Sequence, residues 1–307
     1  MAQGSTQVKR PEDGARGSRF KASMGTRYGL DRIFRVVVTG AALVGIVVLT
    51  VLLVDVAFDG SRMLSLNFLT SFPSQIFPEQ GGIYPALIGS VWVLGLTFLI
   101  SVPVGLGAAI YLEEYADDTM INRAIEINIS NLAGVPSVIY GLLGLGIFVQ
   151  VLGPLTGGGS VLTGALTLSL LILPVIIVAT REALRAIPRA IREGGYALGA
   201  TKWEVIRSHL LPMALPGALT GMILALSRAI GEAAPILVIG VSLYQTYVTT
   251  GPRDGFMALP TQIYGWISRP EQVFQDSAAA GIVVIMAVLL VANSAAIVLR
   301  NRYQRRS

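Results

Sequence analysis

The chain has 307 residues, of which 53% are hydrophobic and 13% are charged, and it contains no cysteine. A typical soluble domain carries about 25% charged residues. The composition therefore excludes fibrous and disordered classes, argues against a soluble enzyme, and indicates a polytopic membrane protein. The lack of cysteine excludes disulfides and thiolate metal sites, and the single histidine, His209, leaves little material for histidine-based catalysis.

Six apolar stretches follow a polar N-terminus. Residues 1–31 are rich in Gly, Ser, Arg and Lys and are typical of a disordered tail, with 28–35 a weak candidate for a short interfacial helix. A bilayer core of about 30 Å needs about 20 residues of helix. Residues 32–307 are therefore predicted to be an all-α transmembrane domain with six transmembrane helices. The predicted spans are 36–54, 84–111, 127–152, 161–180, 214–243 and 278–299.

The basic residues are distributed unevenly between alternate connections. Of the 23 Lys and Arg residues, 19 lie before the first span, after spans two and four, or at the C-terminus, and three lie in the other connections. Positive residues are retained on the cytoplasmic side during insertion, so both termini are predicted to be cytoplasmic. The net charge of +5 then reflects membrane topology, and no nucleic-acid partner is expected.

Two connections are long. The connection at 181–213 is predicted to be cytoplasmic and alternates helical spacing with glycine, which favours a docking element, although a solvated basic helix lying on lipid fits the pattern equally well. The connection at 244–276 is predicted to be external. Its Tyr264 and Trp266 are more typical of residues at the membrane interface than of a binding site.

Two charged residues interrupt the fifth span. A charge near the bilayer centre costs about 2.5–3.5 kcal/mol on insertion scales, so Arg228 and Glu232 are candidates for a functional pair. Their i, i+4 spacing places them on one helix face, and the guanidinium suits the oxygens of phosphate or a carboxylate. Glu232 would keep Arg228 from holding an anion too tightly. The alternative is an internal salt bridge that locks helix packing.

The third span carries polar side chains that include Asn131 and Ser137. They are candidates for a polar pathway, although bonds between helices are the commoner role of such residues in membranes.

Gly217 and Gly221 have GxxxG spacing, which permits close helix approach. The carboxylates that follow span two are interpreted as a solvated helix end; they are Glu113, Glu114, Asp117 and Asp118.

The sequence has no G-x4-G-K-[ST] phosphate loop, since none of its three lysines follows glycine. ATP hydrolysis by that route is therefore not expected of this chain, and no cofactor or metal is assigned to it. Any ATP and Mg²⁺ would be bound by a separate ATPase.

The segment 193–212 resembles the signature loop of ABC importer permeases, E-A-A-x3-G-x9-I-x-L-P. Glu193, Gly199 and Pro212 match the pattern, while Gly194 and Gly195 replace the two alanines and His209 replaces the isoleucine. The resemblance narrows to phosphate importer permeases of the PstA type. It does so through 81–90 (GGIYPALIGS), 134–146 (GVPSVIYGLLGLG), 227–237 (SRAIGEAAPIL) and 258–268 (ALPTQIYGWIS).

This resemblance implies a type I ABC importer permease (MetI-like) fold in a bacterial inner membrane. It also implies a heterodimer with a PstC-type permease, two copies of a P-loop ATPase and an external phosphate-binding protein. Residues 193–200 would form the coupling helix, and Arg228 and Glu232 would belong to the phosphate pathway. The residues expected to couple to the ATPase are Glu193, Gly194, Gly195, Gly199, Ala200 and Pro212.

Other functions remain open on the residues alone. A permease for sulfate, molybdate or phosphonate fits the same features, since one arginine does not choose among tetrahedral anions. An ion-coupled secondary transporter would need carboxylates within its spans, and only Glu232 is present in one. A membrane scaffold or sensor would leave Arg228 and the 181–213 connection without a role.

Overall fold

The computed structural model describes residues 24–242 and 244–304, and the chain divides into two compact units, 1–53 and 54–307. The helix α1 begins at Met24, within the predicted polar tail, so residues 24–31 are helical. The rest of that predicted tail, residues 1–23, lies outside the described residues. In the first unit the apolar side chains of α1 are exposed, as suits a helix surrounded by lipid.

Helices joined by turns and longer loops make up the described chain, and the second unit begins within the C-terminal part of α1. Three of these helices continue into or pass through π-helical turns at Tyr111–Tyr115, Gly144–Val151 and Ile206–Leu210. The helices are α1 (Met24–Ser61), α2 (Leu66–Thr70), α3 (Tyr84–Ile110), α4 (Met120–Leu132), α5 (Ser137–Leu143), α6 (Gly153–Thr156), α7 (Val161–Arg185), α8 (Arg189–Ala197), α9 (Lys202–Val205), α10 (Leu211–Gly231), α11 (Ala234–Val238), α12 (Leu259–Ile267) and α13 (Gln272–Gln304).

Within the described residues, five helices are long and apolar enough to cross a membrane, and a sixth span is present if α4 and α5 are counted together. The five are Tyr28–Ser61, Tyr84–Tyr115, Val161–Arg185, Lys202–Gly231 and Gln272–Arg302. The prediction of an all-α protein with six transmembrane helices is confirmed, by five such helices and the α4–α5 pair.

The third predicted span is not one helix. α4 and α5 meet at an angle of 111° instead of continuing through 127–152. Pro136 is the N-cap of α5, and a proline disfavours helical backbone in the residue before it, so the chain turns through Gly134 and Val135. Only the limb after Pro136 is consistently apolar; α4 is amphipathic and carries Arg123 and Glu126.

The buried helix α7 organises the second unit. It runs parallel to α3, with Thr97 near Ala165 and Gly105 against Ile176. It runs antiparallel to α10, where Gly221 faces Ala179. Most of its apolar length is buried, which is why it reads as a continuous hydrophobic run.

The GxxxG pair lies at the contact between α10 and α7. A Cβ at Gly221 would be 2.1 Å from the Cβ of Ala179, and one at Gly217 would be 2.7 Å from the Cβ of Ala183. Small residues at i and i+4 on both helices let the two backbones approach closely. The expected close approach at this pair is confirmed.

The fifth predicted span differs at both ends. A helical run extends through Lys202–Gly231, 30 residues or about 45 Å, and includes α9, a π-helical turn and α10. It stops at Gly231 instead of reaching 243, because Pro235 has no N–H for the carbonyl of Gly231 and its ring would clash there. Glu232, with φ −82° and ψ 109°, is already outside the helix.

We expect Gly221→Leu to destabilise the fold, because the added side chain has no space against Ala179. Overpacking of this kind costs about 1–3 kcal/mol or more. The measurement is the thermal unfolding midpoint of the purified protein in detergent. Gly95→Leu is the matched control, since a Cβ at Gly95 in α3 meets nothing within 4 Å. Equal midpoints for the two variants would contradict the packing role.

Candidate functional site

Arg228 and Glu232 form an ion pair where α10 ends. Arg228 is in the last turn of the helix, and its Nε lies 3.3 Å from Oε1 of Glu232. The side chains are 37% and 19% exposed, so the pair is accessible from one side. The pair predicted from i, i+4 spacing is therefore formed, although Glu232 lies just past the helix. Next to it, the hydroxyl of Ser227 and the amide of Asn293 in α13 are 2.7 Å apart and tie α10 to α13.

The helix α5 packs beside this pair. Tyr140 is buried together with Ala225 and Ala229, which flank Arg228 on α10. Its hydroxyl donates a hydrogen bond of 2.7 Å to the carbonyl oxygen of Leu132, joining the two limbs of the bend. Ser137, the first residue of α5, lies one helical turn from Tyr140 and is half-buried.

The N-terminus of α5 has no side-chain cap, so its first backbone N–H groups are not satisfied by a capping side chain. Gly141, farther along α5, is in close contact with Pro235 of α11; a Cβ there would be 2.8 Å from the Cα of that proline. The two interruptions of helix, at Pro136 and at Glu232, therefore belong to neighbouring elements. Within a membrane, irregular backbone is tolerated where it is buried in protein or lines a water-filled cavity.

Asn131 lies elsewhere. It is exposed on α4 and lines a cleft of about 250 Å³ together with Arg181, Glu126 and Arg185. The bend at Pro136 separates it from Ser137. The sequence-based prediction grouped Asn131 and Ser137 in one polar pathway because it took 127–152 as a single helical span.

The segment 193–200, predicted to be the coupling helix, overlaps α8. This helix runs from Arg189 to Ala197 and so begins four residues before the predicted start. It ends in a glycine-terminated cap. Gly199 has φ +84°, its N–H bonds to the carbonyl of Tyr196, and the N–H of Ala200 bonds to the carbonyl of Gly195. This is the Schellman pattern, in which glycine supplies the left-handed residue. Gly199 therefore shapes the loop, which its match to the signature pattern did not reveal.

The two glycines that replace alanine face different ways. A Cβ at Gly194 would meet nothing within 4 Å, whereas one at Gly195 would be 2.7 Å from Val205, so Gly195 packs α8 against α9. The outer surface of this region carries Glu193 and Gly194, with Leu198 90% exposed and Trp203 53% exposed. Exposed apolar side chains grouped beside a charged helix are typical of a protein interface.

Ala200 and Pro212 have structural surroundings. Ala200 is half-buried and packs on the apolar cluster of Leu184, Ile206 and Leu210. Pro212 is exposed, at the start of α10 and directly after the π-helical turn Ile206–Leu210. A proline inside a continuous helix removes one hydrogen bond and crowds the preceding turn, which accounts for the wider turn there.

The acidic cluster after span two is partly buried, which corrects its interpretation as a solvated helix end. Asp117 and Asp118 are exposed, but the side chain of Glu114 is 5% exposed and that of Glu113 is 15% exposed. Glu113 is paired with Arg185 and Glu114 with Arg192. The sequence carried a signal for these pairs, because carboxylates and arginines flank apolar spans at the same predicted membrane boundary.

The sequence matches proteins of known family. The profile of the family described as "Binding-protein-dependent transport system inner membrane component" matches residues 101–306. The probable ABC transporter permease protein YqgI of Bacillus subtilis is 32% identical over 254 residues, 78% of this chain and 85% of the relative. The probable phosphate transport system permease protein PstA of Methanocaldococcus jannaschii is 30% identical over 262 residues, 85% of this chain and 90% of the relative.

The fold is similar to that of a solved transporter chain. A bacterial ABC transporter involved in the import of the acidic polysaccharide alginate superposes with a TM-score of 0.63 at 15% identity. The match covers 91% of this chain and 98% of that one. At this identity the likeness concerns the fold.

Proposed function

We propose that this chain, which belongs to the family of binding-protein-dependent transport system inner membrane components, is a permease subunit of an ATP-driven inorganic phosphate importer. The observation that carries the proposal is the similarity to phosphate transport permeases over most of the chain, combined with an arginine at a helix break inside an apolar span. The chain is a multi-pass inner-membrane protein without catalytic activity of its own, and a separate chain hydrolyses ATP.

The assembly follows the family. A second permease of the PstC type would complete the translocation pathway, two P-loop ATPase copies would dock on the surface around α8, and an external phosphate-binding protein would deliver the substrate. Both termini would be cytoplasmic, as the distribution of basic residues favours. The membrane then places α8 inside the cell and α12 outside.

In this mechanism Arg228 contacts the substrate. A guanidinium presents several N–H donors in a plane that fit two phosphate oxygens at once. The uncapped N-terminus of the neighbouring α5, which begins at Ser137, would add backbone N–H donors. Glu232 would hold Arg228 in place when no anion is bound and would compete with the anion, which favours release over retention.

Movement of α8 would reach Arg228 through one helical run. The run Lys202–Gly231 begins where Gly195 of α8 packs on Val205 and ends one residue before Glu232. A helix of about 45 Å that is packed along α7 moves largely as one body. ATP-driven displacement of α8 would therefore tilt the segment that carries Arg228 and alternate the access to the pathway.

The function is tested by uptake into proteoliposomes that hold this chain with its copurifying partners, with ATP inside and the external binding protein outside. We expect ATP-dependent accumulation of phosphate and none of sulfate. Uptake of sulfate instead would move the assignment to another oxyanion. Uptake driven by an ion gradient without ATP would contradict the proposal and favour a secondary transporter.

We expect Arg228→Gln to abolish phosphate uptake, because glutamine removes the charge and the planar fork while it leaves the complex assembled. Loss of one charged hydrogen-bonding partner is worth about 2–5 kcal/mol, so uptake should fall at least about 30-fold. The control is Arg123→Gln, an exposed arginine paired with Asp118 on the α8 side. Normal uptake by Arg228→Gln would indicate that Arg228 and Glu232 only stabilise the packing of the helices.

We expect Gly194→Trp to prevent copurification of the ATPase without changing the fold. The side chain would project from α8 into open space, where the partner has to dock. The measurement is the amount of ATPase that copurifies with the tagged permease. Gly107→Trp in α3, where a Cβ also meets nothing within 4 Å, is the control for a bulky residue far from α8. Equal amounts of copurified ATPase from both variants would show that α8 is not part of the docking surface.

A further inference from the structure

The π-helical turn Tyr111–Tyr115 at the end of α3 contacts side chains from three other helices. Glu113 lies 2.9 Å from Nε of Arg185, at the end of α7. The ammonium of Lys202, at the start of α9, lies 4.9 Å from the ring centre of Tyr115. π-helical turns within longer helices are frequent at functional sites. None of these contacts belongs to the substrate pair or to the outer surface of α8.

The third partner is α8, through Arg192 and Glu114. Nε and Nη2 of Arg192 lie 3.1 and 2.7 Å from Oε1 of Glu114. The same guanidinium donates bonds of 3.0 Å to the carbonyl oxygens of Leu184, in the last turn of α7, and of Ile187, two residues past its end. The side chain of Arg192 is 18% exposed, and that of Glu114 is 5% exposed. One arginine therefore joins α8 to the turn at the end of α3 and to carbonyls at and just past the end of α7.

These contacts differ in kind from the other attachment of α8. Gly195 packs against the methyl groups of Val205, an apolar contact that allows small sliding movements. The guanidinium of Arg192 is fixed in direction by five hydrogen bonds, to Glu114 and to the backbone carbonyls of Leu184 and Ile187. A buried charged pair with several hydrogen bonds holds one geometry, and separating it leaves an uncompensated charge.

We propose that Arg192 and Glu114 are positioning residues that transmit the movement of α8 to α3, so that α3 and α10 move together when the ATPase acts. This inference rests on the proposed function, since it takes a docked ATPase to move α8. Apolar packing would carry the movement to α10, and the ion pair would carry it to α3. Without the pair, ATP hydrolysis would continue while α3 no longer followed.

The first test uses Glu114→Gln in the reconstituted complex. We expect assembly and basal ATP hydrolysis close to those of the wild type, while phosphate transported per ATP falls about tenfold, a typical size for a coupling free energy. Arg192→Lys should give a smaller fall, because lysine keeps the charge but not the fork that bonds both helices. Asp118→Asn is the matched control, since this exposed carboxylate near the same turn pairs with Arg123 and not with α8.

A second measurement separates this inference from the proposed function. The chain has no cysteine, so spin labels can be placed at Asp117→Cys and Ala190→Cys, two exposed positions beside α3 and on α8. In the assembled complex we expect a narrow distance distribution that broadens when Glu114→Gln is added. This readout needs no transport, so it tests the link even if the substrate is not phosphate.

Two results would overturn the inference. One is an unchanged distance distribution with a normal ratio of phosphate to ATP in Glu114→Gln. The other is a loss of transport and ATP hydrolysis in proportion to a loss of assembled complex, which would indicate that the pair only supports the fold. A wild-type complex that does not accumulate phosphate would instead contradict the proposed function, and the spin-label distances would still decide whether α8 is tied to α3.

Discussion

The structure depends on one electrostatic constraint: a charge next to an apolar span has to be neutralised by a partner. Arg181 is 8% exposed and pairs with Glu113 and Glu126, while Arg192 pairs with Glu114. The desolvation of each ion costs several kcal/mol, and its partner and additional hydrogen bonds must offset that cost. The positions of these pairs therefore decide which helix ends meet. They gather the turn after α3, the middle of α4, the end of α7 and the first turns of α8 at one place.

The same constraint separates two kinds of contact along the bundle. In the apolar region the helices approach through small residues, as Gly221 does against Ala179, because lipid offers no hydrophobic force to bring helices together. At the end that carries α8 they are joined by ion pairs. Close apolar packing holds α7 and α10 together, and the ion pairs attach α8 to the ends of α3 and α7. Apolar packing and charged attachment thus occupy different parts of the fold.

Much of this arrangement could be predicted from the sequence, and the failures have identifiable causes. Hydropathy located α3, α7 and α13 well, because long apolar runs have one physical interpretation in a membrane protein. It joined α4 to α5 and extended the fifth span past Gly231, because a hydropathy average does not register how Pro136 and Pro235 stop a helix. Both errors fall next to the candidate substrate site.

The candidate site shows the same division between local and long-range information. The pair of Arg228 with Glu232 was readable because its members are four residues apart. The partners of Glu113 and Glu114 are 72 and 78 residues away along the chain. The sequence places carboxylates and arginines at one predicted membrane boundary, and the packing of the helices determines which of them pair. Asn131 was grouped with Ser137 because both side chains are polar. The bend of the backbone between α4 and α5 separates them.

The break after Gly231 also affects how Arg228 would treat an anion. A helix C-terminus carries partial negative charge on its free carbonyls, so it stabilises a nearby cation. Arg228 lies in that last turn, and Glu232 follows it at 3.3 Å. An anion that contacts the guanidinium therefore meets the field of a carboxylate and of the helix end as well. A transport pathway has to bind its substrate long enough to select it and weakly enough to release it. Under the proposed function, an arginine at a helix C-terminus beside a glutamate would suit both requirements, whereas the same arginine at a helix N-terminus would hold the anion more tightly.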